Sequence, residues 1–190
     1  MEVVRAFVAV KTDSAVQSAL GEVISKLSDT EANVKWVHDI NLHLTLKFLG
    51  DTDVEELKRI EKGLQEAASR FKPLNIGIVG VDAIPNTNSP RIVCANLSGD
   101  VHRLTDLAEA VEEELAKVGV PKDIRKFFPH ITLGRVKSFK GKSKLLMELR
   151  QFHKKELAGL VIDKIHLVKS ELMPGGAIYE DLAAVTLTKN

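Results

Sequence analysis

Two short segments of this 190-residue chain carry the same pattern of reactive side chains. In NLHLTLKFLG, residues 41–50, His43 and Thr45 stand two apart in an apolar run, and FFPHITLGRV, residues 127–136, repeats histidine, aliphatic, threonine, leucine with His130 and Thr132. Six histidines and nine threonines in this length give about 0.3 His-x-Thr triplets by chance, whereas two occur, each followed by leucine. Imidazole exchanges protons near neutral pH: its neutral form can take one from water and its cationic form can give one to a leaving oxygen. Two such rings flanking phosphorus suit in-line displacement, and threonine hydroxyls can donate to the non-bridging oxygens as charge builds there. This chemistry calls for no metal and no cofactor, and none is expected.

The elements around the motifs must bring them together. Side chains alternate across a strand, so Leu42, Leu44, Leu46 and Phe48 are expected on one face of a strand over 42–49, with His43, Thr45 and Lys47 on the other. Likewise Ile131 and Leu133 oppose His130 and Thr132. Before the first motif comes an apolar strand over 3–10, then a helix opened by a Ser14/Gln17 capping box with Val16, Leu20, Val23, Ile24 and Leu27 at helical spacing. After it, Thr52 and Glu55 are read as the cap of a helix that Pro73 stops, and LNIGIVGV, residues 74–81, reads as strand.

The loop AIPNTNSP, residues 83–90, precedes a return of the same order. A strand over 91–97, a helix capped by Asp100 and the His130 strand follow, then a helix over 142–153 and strands over 160–169 and 178–188. His43 and His130 thus occupy matching places 87 residues apart. The expectation is one bilobal domain over 1–190, an internal repeat of about 1–84 and 90–190. Its class is α+β: two pseudo-symmetric lobes, each a mostly antiparallel sheet with helices on its outer face, and a groove between them.

Charge is nearly balanced, 27 basic against 26 acidic residues, so no global field draws the protein to a polyanion. Locally, residues 122–144 hold eight cations and one acid, Asp123. The single cysteine, Cys94, excludes an internal disulfide and reads as the filling of a core strand; with no signal peptide or membrane span legible, a cytoplasmic location is expected. A non-catalytic RNA-binding module built on a duplicated α+β unit is the alternative, weakened by 5% aromatic residues and the lack of an aromatic-rich RNP1 segment. A P-loop fails because Val136 stands where KGKS, residues 140–143, would need glycine.

RAFVAV, NLHLTLKFLG, IRKFFPHITLGRV and LVKSELMPGGAIYEDL together resemble the RNA 2′,3′-cyclic phosphodiesterase family, also called 2′-5′ RNA ligases, of the two-histidine phosphoesterase superfamily. The resemblance implies hydrolysis of RNA 2′,3′-cyclic phosphate ends to 2′-phosphomonoesters without metal or ATP, with reversible 2′-5′ ligation compatible with the same site. It implies His43 as proton donor, His130 as proton acceptor, Thr45 and Thr132 as phosphate-binding groups, and Arg135 as an assisting cation. The implied partner is RNA with a cyclic phosphate end, tRNA fragments among the candidates, and a monomer is favoured. Strand parity sets Arg135 on the face opposite His130 unless the strand twists or ends near Gly134.

Overall fold

A computed structural model describes residues 2–189. Its strands are β1 (Val3–Lys11), β2 (Val34–Trp36), β3 (His43–Asp53), β4 (Leu74–Ile84), β5 (Ile92–Gly99), β6 (Ile131–Val136), β7 (Glu156–Ile162), β8 (Lys164–Met173) and β9 (Gly176–Thr186). The helices are α1 (Ser14–Ser28), α2 (Leu57–Ala68), α3 (Val101–Lys117) and α4 (Lys142–Gln151). The strands run β7-β4-β5-β6-β3-β1-β8-β9 in one antiparallel sheet, with β2 added beside β6. The α+β class and antiparallel pairing follow the sequence expectation, and the two lobes are joined edge to edge where β6 meets β3.

Each half of the sheet draws strands from both halves of the chain. Strand β4 pairs with β5 and β7, whereas β8, late in sequence, pairs with β1. The strand expected over 160–169 is therefore two strands. The turn at Asp163 sends the chain from the β4 edge to the β1 edge, a change of partner that leaves the apolar run LVIDKIHLV almost unbroken.

Helix α1 packs against β7 and α4, and α2 against α3 and the β8–β9 side, so the helices cover one face. That face holds the main core, in which Val16, Leu20, Leu27, Ile60, Leu64, Leu104, Leu107 and Leu115 meet Leu44, Ile131, Leu133 and Leu167. A leucine side chain taken fully out of water contributes about 1.5–3 kcal/mol, so this layer dominates stabilisation.

The expected caps shift by a residue or change task. Asp13, not Ser14, caps α1 by accepting from the Val16 N–H at 2.8 Å, and Gln17 reaches the Thr12 carbonyl at 3.0 Å. Asp53 caps a 3₁₀ turn at Val54–Glu56 that leads into α2, while the Thr52 hydroxyl bonds the Gly50 carbonyl. Asp100 sits at the start of α3 and spends its carboxylate on the Asn75 N–H at 2.8 Å.

Candidate active site

Strands β3 and β6 touch through a single rung, Leu44 opposite Ile131. Because the pair is antiparallel, Thr132 follows Ile131 toward the His43 side, and Thr45 follows Leu44 toward the His130 side. Leu44 and Ile131 point into the core, fully buried, so the residues flanking them point to the opposite face. Each histidine thereby stands across from the other motif's threonine, and the two histidines lie on a diagonal about the rung.

Both rings are held in the same way. His43 Nδ1 lies 2.7 Å from the Asn41 carbonyl, and His130 Nδ1 lies 2.7 Å from the Phe128 carbonyl. A carbonyl only accepts, so Nδ1 carries the proton in each ring and Nε2 is left to exchange one. The Asn41 side chain donates in turn to the Ala177 carbonyl of β9 at 2.8 Å, which fixes the support of His43 to the sheet edge. Neither the Thr45 nor the Thr132 hydroxyl has a hydrogen-bond partner among the described residues, so both can donate to a ligand.

Downstream of each motif a β-bulge resets the alternation. On β3, Ala9 pairs with Thr45 and Val8 with Lys47, so Leu46 is the extra residue; on β6, Cys94 pairs with Thr132 and Val93 with Gly134, so Leu133 is extra. Strict alternation fails here, and two expectations are corrected. Lys47 turns into the helix side and is buried, not beside His43 and Thr45, while Phe48 turns to the histidine face, 61% exposed with its ring 6.3 Å from Phe7. Arg135 lands on the same face as His130, since Gly134 faces Val34 and Trp36 on the core side. Its charge is felt at the Tyr179 hydroxyl, whose pKa is raised by burial and pulled back by Arg135 and Arg5.

The electrostatics of the two rings differ. Burial holds His43 below the ordinary histidine range; the Asn41 bond works against this, and the charge on His130 adds to it. The coupling to His130 requires the two rings to share one field. His43 also sits in an aromatic cluster, 5.0 Å from the Phe7 ring and 5.3 Å edge-on to Tyr179. Around His130 the one ring neighbour among the described residues is Phe128 at 5.6 Å. One side of the site is therefore aromatic and dry, the other cationic and open.

Comparison with known proteins places this geometry. The sequence profile of LigT-like phosphoesterases matches residues 10–94 and 98–179. The chain belongs to that family. Among its relatives is the RNA 2′,3′-cyclic phosphodiesterase of Methanothermobacter thermautotrophicus, 32% identical over 97% of this chain and 99% of that protein. Proteins of the same name from Aquifex aeolicus and Archaeoglobus fulgidus are each 36% identical over 94% of this chain, covering 95% and 97% of their own lengths. A crystal structure from Thermus thermophilus superposes with a TM-score of 0.76 at 27% identity over 98% of this chain and 99% of that one. Escherichia coli LigT shares the fold at a TM-score of 0.76 and 22% identity, with both chains fully covered.

In this LigT-like chain the histidine face holds more than the repeated motif announces. Phe7, Ala9, Val168 and Tyr179 form a small second cluster beside His43. Next to it Asp181 pairs with Lys11 at 2.7 Å and approaches His166 Nδ1 at 3.4 Å, with His166 also held below the ordinary histidine range, by burial first. Lys11 is the register partner of His43. These residues lie on β1, β8 and β9, and only the strand order β3-β1-β8-β9 reveals them. Cys94, expected as core filling, is fully buried opposite Thr132, its thiol pushed up to about 12 by burial and the Asp82 charge.

The basic run over 122–144 is divided. Lys122, Arg125 and Lys126 precede His130, whereas Lys137, Lys140, Lys142 and Lys144 lie beyond β6, whose six residues span about 20 Å. Lys142 is engaged with the Asn88 carbonyl and lies over the Phe139 ring at 5.1 Å. Among the described residues no three His, Cys, Asp or Glu side chains are grouped as a metal site, and no helix is long and apolar enough to cross a membrane.

Proposed function

We propose that this protein is an RNA 2′,3′-cyclic phosphodiesterase acting by paired histidine acid/base catalysis. The observation that carries the reading is the diagonal placement of two imidazoles and two free threonine hydroxyls about the Leu44–Ile131 rung. Support comes from relatives named RNA 2′,3′-cyclic phosphodiesterase that align along nearly the whole chain.

In the proposed reaction His130 Nε2 takes a proton from water as the water oxygen bonds to phosphorus. The P–O3′ bond breaks, and O3′ receives the proton of His43 Nε2, leaving a 2′-phosphomonoester. The proton lost and the proton gained balance, so the pair of rings ends with its charge unchanged. Thr45 and Thr132 donate to the non-bridging oxygens, and the Arg135 guanidinium offsets charge on the same oxygens.

The depressed pKa of His43 fits an acid that must let its proton go. In the free protein near neutral pH it is mostly neutral, and the phosphodiester anion favours its protonated form on binding. The active form, His43 charged and His130 neutral, then gives a bell-shaped profile of kcat/KM. Attack by an RNA 5′-hydroxyl in place of water, with His130 taking its proton and His43 protonating O3′, forms a 2′-5′ phosphodiester, so ligation uses the same groups in the same roles.

The decisive assay is hydrolysis of an oligoribonucleotide ending in a 2′,3′-cyclic phosphate, with the product read by phosphorus NMR. A single 2′-phosphate product is expected. A mixture of isomers would mean the site does not orient the ribose, and a clean 3′-phosphate would exchange the roles of the two rings.

A further inference from the structure

Lys47 is the buried cation that the reaction above does not use. It sits four residues after His43, its side chain 1% exposed, and its ammonium donates to both oxygens of Glu112 at 2.7 Å and to the Pro121 carbonyl at 2.9 Å. Asp123 Oδ2 lies 3.8 Å away, and the Asp123 N–H donates to Glu112 at 3.2 Å. A buried ion pair is a poor source of net stability compared with apolar packing, and its best-attested use is to fix one arrangement over others. Here it fixes the start of the segment between α3 and β6. The end of that segment is fixed by Phe127, packed on the main core, and by the Phe128 carbonyl on His130.

Between these two anchors the chain is turned outward. Lys122, Arg125 and Lys126 are exposed and have no ion-pair partner among the described residues, in contrast to Lys11, Arg59, Arg70, Arg103, Lys117 and Lys169. The only acid of the segment, Asp123, is drawn toward Lys47, so the outward charge is that of three free cations. Ile124 is wholly exposed and Phe128 59% exposed, with the Phe128 ring beside that of His130. Free cations interleaved with an exposed ring match the needs of a single strand, in which phosphates take the charge and a base stacks on the ring.

We propose that residues 122–128 form an arm that binds the RNA strand next to its cyclic end, phosphates on Lys122, Arg125 and Lys126 and a base on Phe128, and that Lys47 is the positioning residue that holds the arm. The proposal rests on the phosphodiesterase reading for the identity of the polymer. It assigns the strand to this arm and not to the lysines of α4, which lie beyond the far end of β6.

The test compares binding of a labelled single-stranded octaribonucleotide carrying a terminal 2′-phosphate, read by fluorescence anisotropy, with turnover of the same octamer ending in a 2′,3′-cyclic phosphate and of adenosine 2′,3′-cyclic phosphate. Replacing Lys122, Arg125 and Lys126 together by alanine is expected to weaken octamer binding at least tenfold and to reduce the slope of log affinity against log salt by about 2, three contacts at about 0.7 each. Lys47→Met, with all three cations retained, is expected to lower the ratio of octamer to mononucleotide kcat/KM about tenfold. Glu112→Gln serves in its place if Lys47→Met melts at the working temperature. Lys140→Ala with Lys144→Ala is expected to leave both binding and the ratio within twofold.

Unchanged octamer binding in the triple variant would overturn the arm. An unchanged ratio in folded Lys47→Met or Glu112→Gln would overturn the anchor. Absence of turnover in the wild type would sink the phosphodiesterase reading, while the binding series would still decide the arm.

Discussion

Leu44 of β3 and Ile131 of β6 face each other across the one rung that joins the two motif strands, and both are fully buried. This apolar pair is the pivot about which His43 and His130, and Thr45 and Thr132, are exchanged. The polar groups on the other face owe their spacing to that buried contact.

His43→Ala and His130→Ala are each expected to lower kcat/KM by about 10²–10⁴-fold, the range of a lost general acid or base. Thr45→Val and Thr132→Val should each cost about a hundredfold by removing a donor to the non-bridging oxygens. Far-UV circular dichroism and the thermal midpoint should be nearly unchanged, because neither ring is part of the main core. Retention of activity within about tenfold by both histidine variants, about 1.4 kcal/mol of barrier, would remove the acid/base assignment.

The bulge at Leu133 gives a sharper test. A methyl group added at Gly134 would come within 2.6 Å of Val34 Cγ1 and 2.7 Å of Trp36 Cε3, so β6 and its neighbour β2 have to shift apart. Gly134→Ala is expected to lose about 1–3 kcal/mol of stability in a urea melt. It should also lower activity toward the level of Arg135→Ala, because the displaced strand carries Arg135 with it. Full activity in a destabilised Gly134→Ala would separate Arg135 from the reaction.

Proton NMR should find His43 titrating below the ordinary histidine value in the free protein, as its burial requires. Replacing His130 by alanine removes a neighbouring positive charge and should move the His43 midpoint upward. The same depression has a consequence for stability. The folded state resists protonation of His43 and the unfolded state does not, so this stabilisation is present above the unfolded value and is lost as pH falls through the folded one. His166 acts in the same direction. Thermal midpoints of His43→Asn should therefore decline less than those of the wild type between neutral and mildly acid pH.

EDTA should leave turnover unchanged, as should the omission of ATP, since the proposed proton transfers use protein groups alone. Loss of activity in chelator, restored by a divalent ion, would replace histidine acid/base chemistry with metal-assisted attack.

How much of this was legible in the sequence depends on which interactions set each feature. His43, Thr45, His130 and Thr132 announce themselves because one His-x-Thr-Leu pattern occurs twice in a chain where chance gives about 0.3 His-x-Thr triplets. The helices were legible from their apolar stripes, which supply all the buried residues of α1 and, in α2 and α3, Ile60, Leu64, Ala68, Leu104, Leu107, Val111 and Leu115. The destinations of Lys47 and Arg135 were not. Each depends on a bulge defined against a partner strand, β1 or β5, and a one-residue offset in pairing inverts every side chain beyond it. His166, Asp181 and Lys11 were hidden for a related reason, since their proximity comes from strands that begin more than 150 residues apart. The turn at Asp163 was missed because neither neighbouring segment changes composition where the chain changes partner.

The exchange of strands between the two halves of the chain makes them mutually dependent folding partners. Severed in the loop between β4 and β5, the first half would keep β1, β3 and β4 but leave β4 with both edges bare, and the second half would hold a β8–β9 hairpin with nothing to extend. Exposed edges of this kind invite pairing with other chains. Each fragment carries the strands that pair with the other's edges, so each histidine motif depends on both halves of the chain for the sheet that holds it.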